Sequence, residues 1–161
     1  MHSAIILLLF IGTILLYSIP DAKIQRTLYV VPKTLPENHT GKIFGYKPQI
    51  TVWTGARLNK NGHLTVPEIQ LKSDKYHLLV GLTSAVAGET VLRLPLLREK
   101  SISEIARFTA SHPSIAGIQL DFEYLDPTLA DAFVAYAANL RKAIQPLKLF
   151  VAVFPPKGIP A

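Results

Sequence analysis

Two acidic residues, Asp121 and Glu123, stand two positions apart at the end of an apolar, strand-like stretch. Because successive side chains of a strand point to opposite faces, both carboxyl groups share a face with Gln119. Their Cα atoms would lie about 6–7 Å apart, since each strand residue rises about 3.3 Å. Like charges at this distance disfavour double ionisation and push one carboxyl toward its protonated form. A protonated Glu at neutral pH is the general acid that glycosidic cleavage requires.

A structural role is the alternative for these two carboxylates. At a strand end they can be solvated, or they can bind helix amides and basic side chains. For an isolated Leu-Asp-Phe-Glu sequence we would favour that interpretation, so the surrounding elements decide between the two.

From about residue 42 onward, short apolar strand patterns alternate with helical patterns. Nearly continuous apolar runs such as 76–82 are typical of parallel strands covered on both faces. Strands alternating with helices predict βαβ units and a parallel sheet. The predicted strands are 43–46, 50–53, 76–82, 115–122 and 149–154.

Two helices are predicted from their first residues. Ser101 and Glu104 form a capping box, which predicts a helix beginning at Ser101. Asp126 is the predicted cap of the next helix, with Pro127 in its first turn, where a missing N–H has no cost.

These elements predict an α/β fold, the first part of a (β/α)8 barrel, with the carboxyl pair at the strand end where barrel enzymes place their catalytic groups. A closed barrel typically needs about 250 residues, whereas this chain has 161. We therefore expect about the first five strands. A truncated reading frame is the interpretation we favour, and completion by a partner chain is the alternative.

The N-terminal residues predict export. Residues 4–17 are almost entirely apolar, a length typical of a signal-peptide core and short of the roughly 20 residues of a membrane span. We predict a signal peptide over 1–20, with an uncleaved anchor over 4–19 as the alternative. A Pro- and Lys-rich linker over 21–41 would then lead to the barrel, 42–161. The expected location is the periplasm, the cell surface or the extracellular space.

The composition excludes several chemistries. The chain has no cysteine, which excludes disulfides, thiolate metal sites and a cysteine nucleophile. Its five histidines lack zinc-ligand spacing, so we expect no metal. A net charge of +6 can attract anionic polymers, but no basic stripe alternates with aromatic residues as a nucleic-acid groove requires. We therefore expect no nucleic-acid partner.

The stretch AGIQLDFE, residues 116–123, resembles the fourth strand of glycoside hydrolase family 18, the chitinase-like barrels, which reads Asp-Gly-x-Asp-x-Asp-x-Glu. The resemblance extends over roughly residues 42–157. Over this range the chain is similar to the spore-wall and peptidoglycan-directed branch of that family. It is also carried by the segments DFEYLDP, FVAYAANLRKAI, LFVAVFPPK and ITVWTGARLNKNGHL.

The resemblance implies a substrate-assisted glycosidase acting on chitin or peptidoglycan without a cofactor. Glu123 would protonate the leaving oxygen, while Asp121 would orient the N-acetyl group whose carbonyl attacks the anomeric carbon. Gln119 would be a substrate-binding neighbour. Tyr124 and Trp53 are candidate sugar-stacking platforms, with core packing as the alternative for each.

Two aspartates of the family motif are replaced here, by Ala116 and Gln119. An amide can hydrogen-bond Asp121 but cannot share a proton with it. There are therefore two alternatives to the hydrolase. One is a barrel that binds cell-wall glycans without cleaving them, and the other is a structural envelope protein.

Overall fold

The computed structural model describes residues 27–30, 49–69 and 75–152 of the chain. A short 3-10 turn, Pro127–Leu129, precedes the last helix. In chain order, the helices and strands are β1 (Thr27–Val30), β2 (Ile50–Leu58), β3 (Leu64–Thr65), β4 (Tyr76–Leu82), α1 (Ala85–Arg93), α2 (Pro95–Ala110), β5 (Ile115–Asp121), α3 (Ala130–Ala143) and β6 (Lys148–Val151).

Within the described ranges, five parallel strands follow one another across a single sheet in the order β1-β2-β4-β5-β6. The two-residue β3 pairs antiparallel with the end of β2. A doubly wound sheet would reverse its strand order at a switch point, whereas this order runs in one direction only. Sequential parallel strands with intervening helices form the wall of a (β/α) barrel, which confirms the predicted partial barrel.

The sheet is strongly curved. Tyr29 on β1 and Gln119 on β5 are separated by two strands, yet the Tyr29 hydroxyl donates a hydrogen bond to Gln119 Oε1 at 3.2 Å. In a flat sheet those two strands would be about 14 Å apart, because neighbouring strands are spaced about 4.8 Å. The concave face, which we call the inner face, therefore brings side chains from distant strands together.

The opposite, outer face carries the hydrophobic core against the helices. Burying a large aliphatic side chain there stabilises the fold by about 1.5–3 kcal/mol. At its centre lie Leu78, Val80, Ile118 and Leu120 from the strands, with Val91, Ile105, Tyr136 and Leu140 from the helices.

The predicted cap of the helix after β5 is confirmed. Asp126 caps the 3-10 turn by accepting the Thr128 amide at 2.9 Å. In the following helix α3, Tyr136 and Leu140 are buried against the sheet, and Phe122 at the end of β5 packs on Phe133 and Tyr136.

The predicted capping box at Ser101 is wrong. The helix α2 begins six residues earlier, at Pro95, where the proline preorganises the first turn. Ser101 is fully buried in mid-helix; its hydroxyl donates to the Arg98 carbonyl and lies 3.2 Å from the Tyr136 hydroxyl. The preceding helix α1, which the sequence did not predict, begins after Ser84, whose Oγ accepts the Ala87 amide.

Of the predicted N-terminal region, the structure describes only residues 27–30. Strand β1 lies within the predicted linker 21–41 and pairs with β2 along its whole length, so this part of the linker belongs to the sheet. The predicted signal or anchor segment 1–20 and strand 43–46 lie outside the described residues. In the part of the chain that is described, no helix has the length and apolar character needed to cross a membrane.

Candidate active site

Strand register gathers three residues at the carboxyl edge of the inner face. Arg57 near the end of β2 is aligned with Gly81 of β4, and Gly81 is aligned with Asp121, the last residue of β5. Register partners in a parallel sheet share a face, so the three positions form one row across neighbouring strands. The glycine has no side chain, and the Arg57 guanidinium lies over it, with Nη1 2.9 Å from where a Cβ would stand.

A small cavity of about 170 Å³ lies on this row. Asp121 and Glu123 both line it, as do Arg57 and Tyr124. The N-terminus of helix α1 borders the same cavity through Ser84. Both carboxyl groups are half-buried, so they face a common space that remains open to a ligand.

The chain turns sharply directly after the carboxyl pair. Tyr124 adopts a left-handed backbone conformation, with φ of 59°, which is uncommon for a residue other than glycine. The residue is 84% exposed at the rim of the cavity. This geometry contradicts the core-packing alternative for Tyr124 and leaves its ring free to contact a bound molecule.

Gln119 lies on the same face as Asp121, one pleat closer to the centre of the sheet, where its side-chain oxygen accepts the hydrogen bond from Tyr29. Burial raises the pKa of the Tyr29 hydroxyl above its ordinary value; the Gln119 hydrogen bond opposes this rise and the charge of Asp121 adds to it. Tyr29 therefore stays a neutral donor at physiological pH. The sequence did not single out this residue, because it lies in the predicted linker.

Trp53 does not belong to this site. Its register partner is Leu78, a core residue of the outer face, and only 2% of the Trp53 surface is exposed. Its indole nitrogen is buried without a hydrogen-bond partner among the described residues. The prediction of Trp53 as a stacking platform is therefore wrong, and the core-packing alternative holds.

A larger cavity of about 550 Å³ lies at the opposite, amino end of the strands. His77 lines it and stacks on Phe150 with ring centroids 5.0 Å apart. Burial and the charge of Lys148 lower the pKa of His77, so the ring is neutral at physiological pH. The described residues that line this cavity include no carboxylate, whereas Asp121 and Glu123 both line the smaller one.

The described residues also contain no group of three His, Asp or Glu side chains close enough to hold a metal ion. The candidate site consists of the carboxyl pair, the Arg57 guanidinium, the Gln119 amide and the Tyr29 phenol, with the Tyr124 phenol at its rim.

Solved structures with a similar fold come from lytic and chitin-directed proteins. The spore cortex-lytic enzyme SleL of Bacillus cereus superimposes with a TM-score of 0.67 at 18% identity, over 82% of this chain and 35% of that one. A chitinase from Bacteroides thetaiotaomicron gives 0.60 at 15% identity, over 81% and 47%. The chain has the chitinase-like fold of glycoside hydrolase family 18.

A third chitinase-like structure, the chitinase domain of the spore coat protein CotE from Clostridium difficile, matches with a TM-score of 0.61 at 18% identity, over 83% of this chain and 43% of that domain. The chain therefore spans between about a third and a half of these structures. No protein-family model and no curated protein matches the sequence. At such identities the similarity is one of fold.

Proposed function

We propose that the protein is a glycoside hydrolase that acts on polysaccharides containing N-acetylglucosamine, such as chitin or peptidoglycan. One observation carries the proposal: Asp121 and Glu123 line a single cavity at the carboxyl edge of a chitinase-like sheet. This edge is where the loops of barrel enzymes assemble their active sites. The structural neighbours include a spore cortex-lytic enzyme and a chitinase, which supports the same substrate class.

In this proposal Glu123 donates its proton to the glycosidic oxygen as the bond to the anomeric carbon breaks. The carbonyl oxygen of the substrate's own N-acetyl group attacks that carbon from the other side, with Asp121 orienting the amide. Water then opens the resulting ring and returns a proton to Glu123. Tyr124 offers an aromatic face to a sugar at the rim, and Gln119 supplies a neutral amide beside Asp121.

Replacement of Glu123 by Gln tests the proposal. The variant keeps the side-chain shape but has no proton to donate, so turnover of N-acetylglucosamine oligomers should fall about 10²- to 10⁴-fold while their affinity stays within a factor of two to three. Glu99→Gln, on the exposed side of α2, is the matched control and should leave turnover unchanged. Equal turnover in wild type and Glu123→Gln would contradict the assignment.

A second candidate function is glycan binding without cleavage. It is favoured by Gln119, a neutral amide held by the Tyr29 hydroxyl, which cannot exchange a proton with Asp121. This candidate predicts measurable affinity for N-acetylglucosamine oligomers with no product on prolonged incubation. Release of shorter oligomers would reject it, and absence of any binding would leave a structural envelope protein as the interpretation.

We further propose that residues 1–20 direct the chain out of the cytoplasm, as a cleaved signal or as an anchor over 4–19. The support is the apolar stretch at 4–17. Fractionation of cells producing the full chain and a variant without residues 1–20 tests this, with the deletion expected to retain the protein inside. Equal distributions of the two forms would reject the proposal.

A further inference from the structure

The loop after β5 carries Glu123 on a strained turn. Tyr124, the next residue, has a backbone φ of 59°, in the left-handed region that residues other than glycine rarely adopt. Such a conformation has a free-energy cost and persists only where the surrounding structure fixes it. The contacts on both sides of the turn therefore determine where the Glu123 carboxyl group lies in the cavity.

Apolar side chains hold the turn on both sides. Before it, Phe122 is 8% exposed and packs on Phe133 and Tyr136 of α3. After it, Leu125 is half-buried and packs against the core, where its Cδ2 lies next to Gly88 of α1. The two ends of the turn are thus anchored to different helices.

Gly88 provides the space that Leu125 occupies. This glycine is buried within α1, and a Cβ there would lie 2.6 Å from Leu125 Cδ2 and 2.5 Å from Leu82 Cδ1. Both distances are far shorter than the roughly 3.5–4.0 Å of a favourable carbon–carbon contact. Because Leu82 ends β4 and Leu125 follows the turn, one position of α1 joins the strand, the helix and the loop.

A second contact between α1 and the loop is weaker. Arg93 Nη2 lies 3.7 Å from Asp126 Oδ2, and the two side chains are 53% and 40% exposed. Exposed ion pairs of this kind contribute little, because water and salt screen the charges. The contact at Gly88 is therefore the stronger of the two.

We propose that Gly88 and Leu125 are positioning residues for the general acid, because their contact fixes the loop that places Glu123 in the cavity. Neither residue lines the cavity itself, whereas Ser84 and Ala85 at the start of α1 do. The helix thus forms a wall of the site and also holds the loop that carries the acid. This role rests on the proposed glycosidase function and adds to it two residues that act through the loop.

Gly88→Ala tests this role in the full chain, with a tetramer of N-acetylglucosamine as substrate. The added methyl group displaces Leu125 and should lower kcat at least about 10-fold, because a small misplacement of a catalytic group is costly. KM should change by no more than about threefold, since the residues that touch the sugar are unaltered. Arg93→Gln, in the same helix, is the control and should keep kcat within about twofold of wild type. Rates are measured well below the unfolding temperature of each variant, and circular dichroism checks that each is folded.

A second substitution approaches the same contact from the loop. Leu125→Val removes the Cδ atom that lies next to the glycine, so it should also lower kcat. In the double variant Gly88→Ala/Leu125→Val, the new methyl group enters the vacated space. Its kcat should exceed the product of the two single effects by about fivefold or more. A residue that only stabilises the fold would not produce this recovery at a temperature where every variant is folded.

The outcomes separate the positioning role from the proposed function. If Gly88→Ala and Leu125→Val both keep the wild-type kcat, or if their effects simply multiply in the double variant, the positioning role is overturned while the hydrolase function stands. If the wild-type protein releases no product, both are overturned. Should Gly88→Ala not fold, Leu125→Val compared with Arg93→Gln still decides: a lower kcat only in Leu125→Val supports the role, and equal values overturn it.

Discussion

At the scale of single residues, two aromatic side chains of the predicted site have opposite environments. Trp53 is buried at a core position of the outer face, whereas Tyr124 is exposed at the rim of the carboxylate cavity. Their sequence contexts, one in a strand and one after the acidic pair, do not reveal this difference. The register of β2 with β4 decides it for Trp53, and a left-handed backbone turn decides it for Tyr124.

This contrast gives a paired prediction. In Tyr124→Asn the ring is lost but the left-handed conformation is tolerated, so oligosaccharide affinity should fall by about 0.5–1.5 kcal/mol with little change in stability. In Trp53→Phe affinity should be unchanged, while the free energy of unfolding decreases by about 1–3 kcal/mol because the core loses volume. Calorimetry and urea unfolding measure the two effects, and the reverse pattern would contradict the placement.

At the scale of elements, helix α2 is tied to the loop before β3 by one carboxylate. Glu104 accepts a hydrogen bond from Arg107 at 2.6 Å, lies 3.1 Å from His63 Nδ1, and accepts the Leu64 amide at 3.5 Å. The loop itself is shaped by Asn59, whose Oδ1 accepts the Asn61 and His63 amides. Glu104 therefore acts between elements instead of capping its own helix.

Burial alone would raise the pKa of Glu104, but the hydrogen bonds from Arg107 and Leu64, together with the charges of Arg107 and His63, lower it below 4.5 overall. A lowered folded-state pKa means that the ionised group stabilises the fold above its unfolded-state pKa, and that this contribution is lost as the pH falls through the folded-state value. Acid therefore removes the stabilisation.

Glu104→Gln should accordingly reduce the free energy of unfolding by about 1 kcal/mol at neutral pH. The difference from wild type should shrink as the pH falls below 4.5. Urea unfolding across this range measures it, with Glu99→Gln on the exposed side of the same helix as control. A difference that is independent of pH would show that the carboxylate's charge is not involved.

At the scale of the whole molecule, the two faces of one curved parallel sheet have different roles. Its outer face holds the helices and the apolar core, and its inner face carries the polar row that ends in Asp121. The candidate site draws residues from β1, β2, β4 and β5 and from the loop after β5. Its geometry therefore depends on the integrity of the outer-face packing.

Leu120→Ala tests that packing. Leu120 is fully buried in β5, directly next to Asp121, so its truncation should reduce the free energy of unfolding by about 2–5 kcal/mol. Leu96→Ala, at a position that is 80% exposed, should change it by no more than about 0.5 kcal/mol. Chemical denaturation of both variants makes the comparison, and equal effects would refute the assigned faces.

Local patterns in the sequence determined much of the fold. The two-residue alternation of a strand predicted that Asp121 shares a face with Gln119, because this period is a property of the strand itself. The cap at Asp126 was equally local, since it depends on residues within a few positions of one another. The carboxyl pair could be recognised in the sequence for the same reason, because its two members are only two positions apart.

Only the tertiary structure decided which distant residues join that pair. Tyr29 reaches Gln119 across 90 positions of the chain, and Arg57 meets the row of Asp121 through Gly81, because strand register and sheet curvature set these contacts. Long-range packing also explains why Ser101 and Glu104 do not form the predicted capping box. The Ser101 hydroxyl contacts the Tyr136 hydroxyl, and Glu104 accepts the Leu64 amide. Local periodicity determines which face a side chain occupies, whereas pairing between strands and helices determines its neighbours.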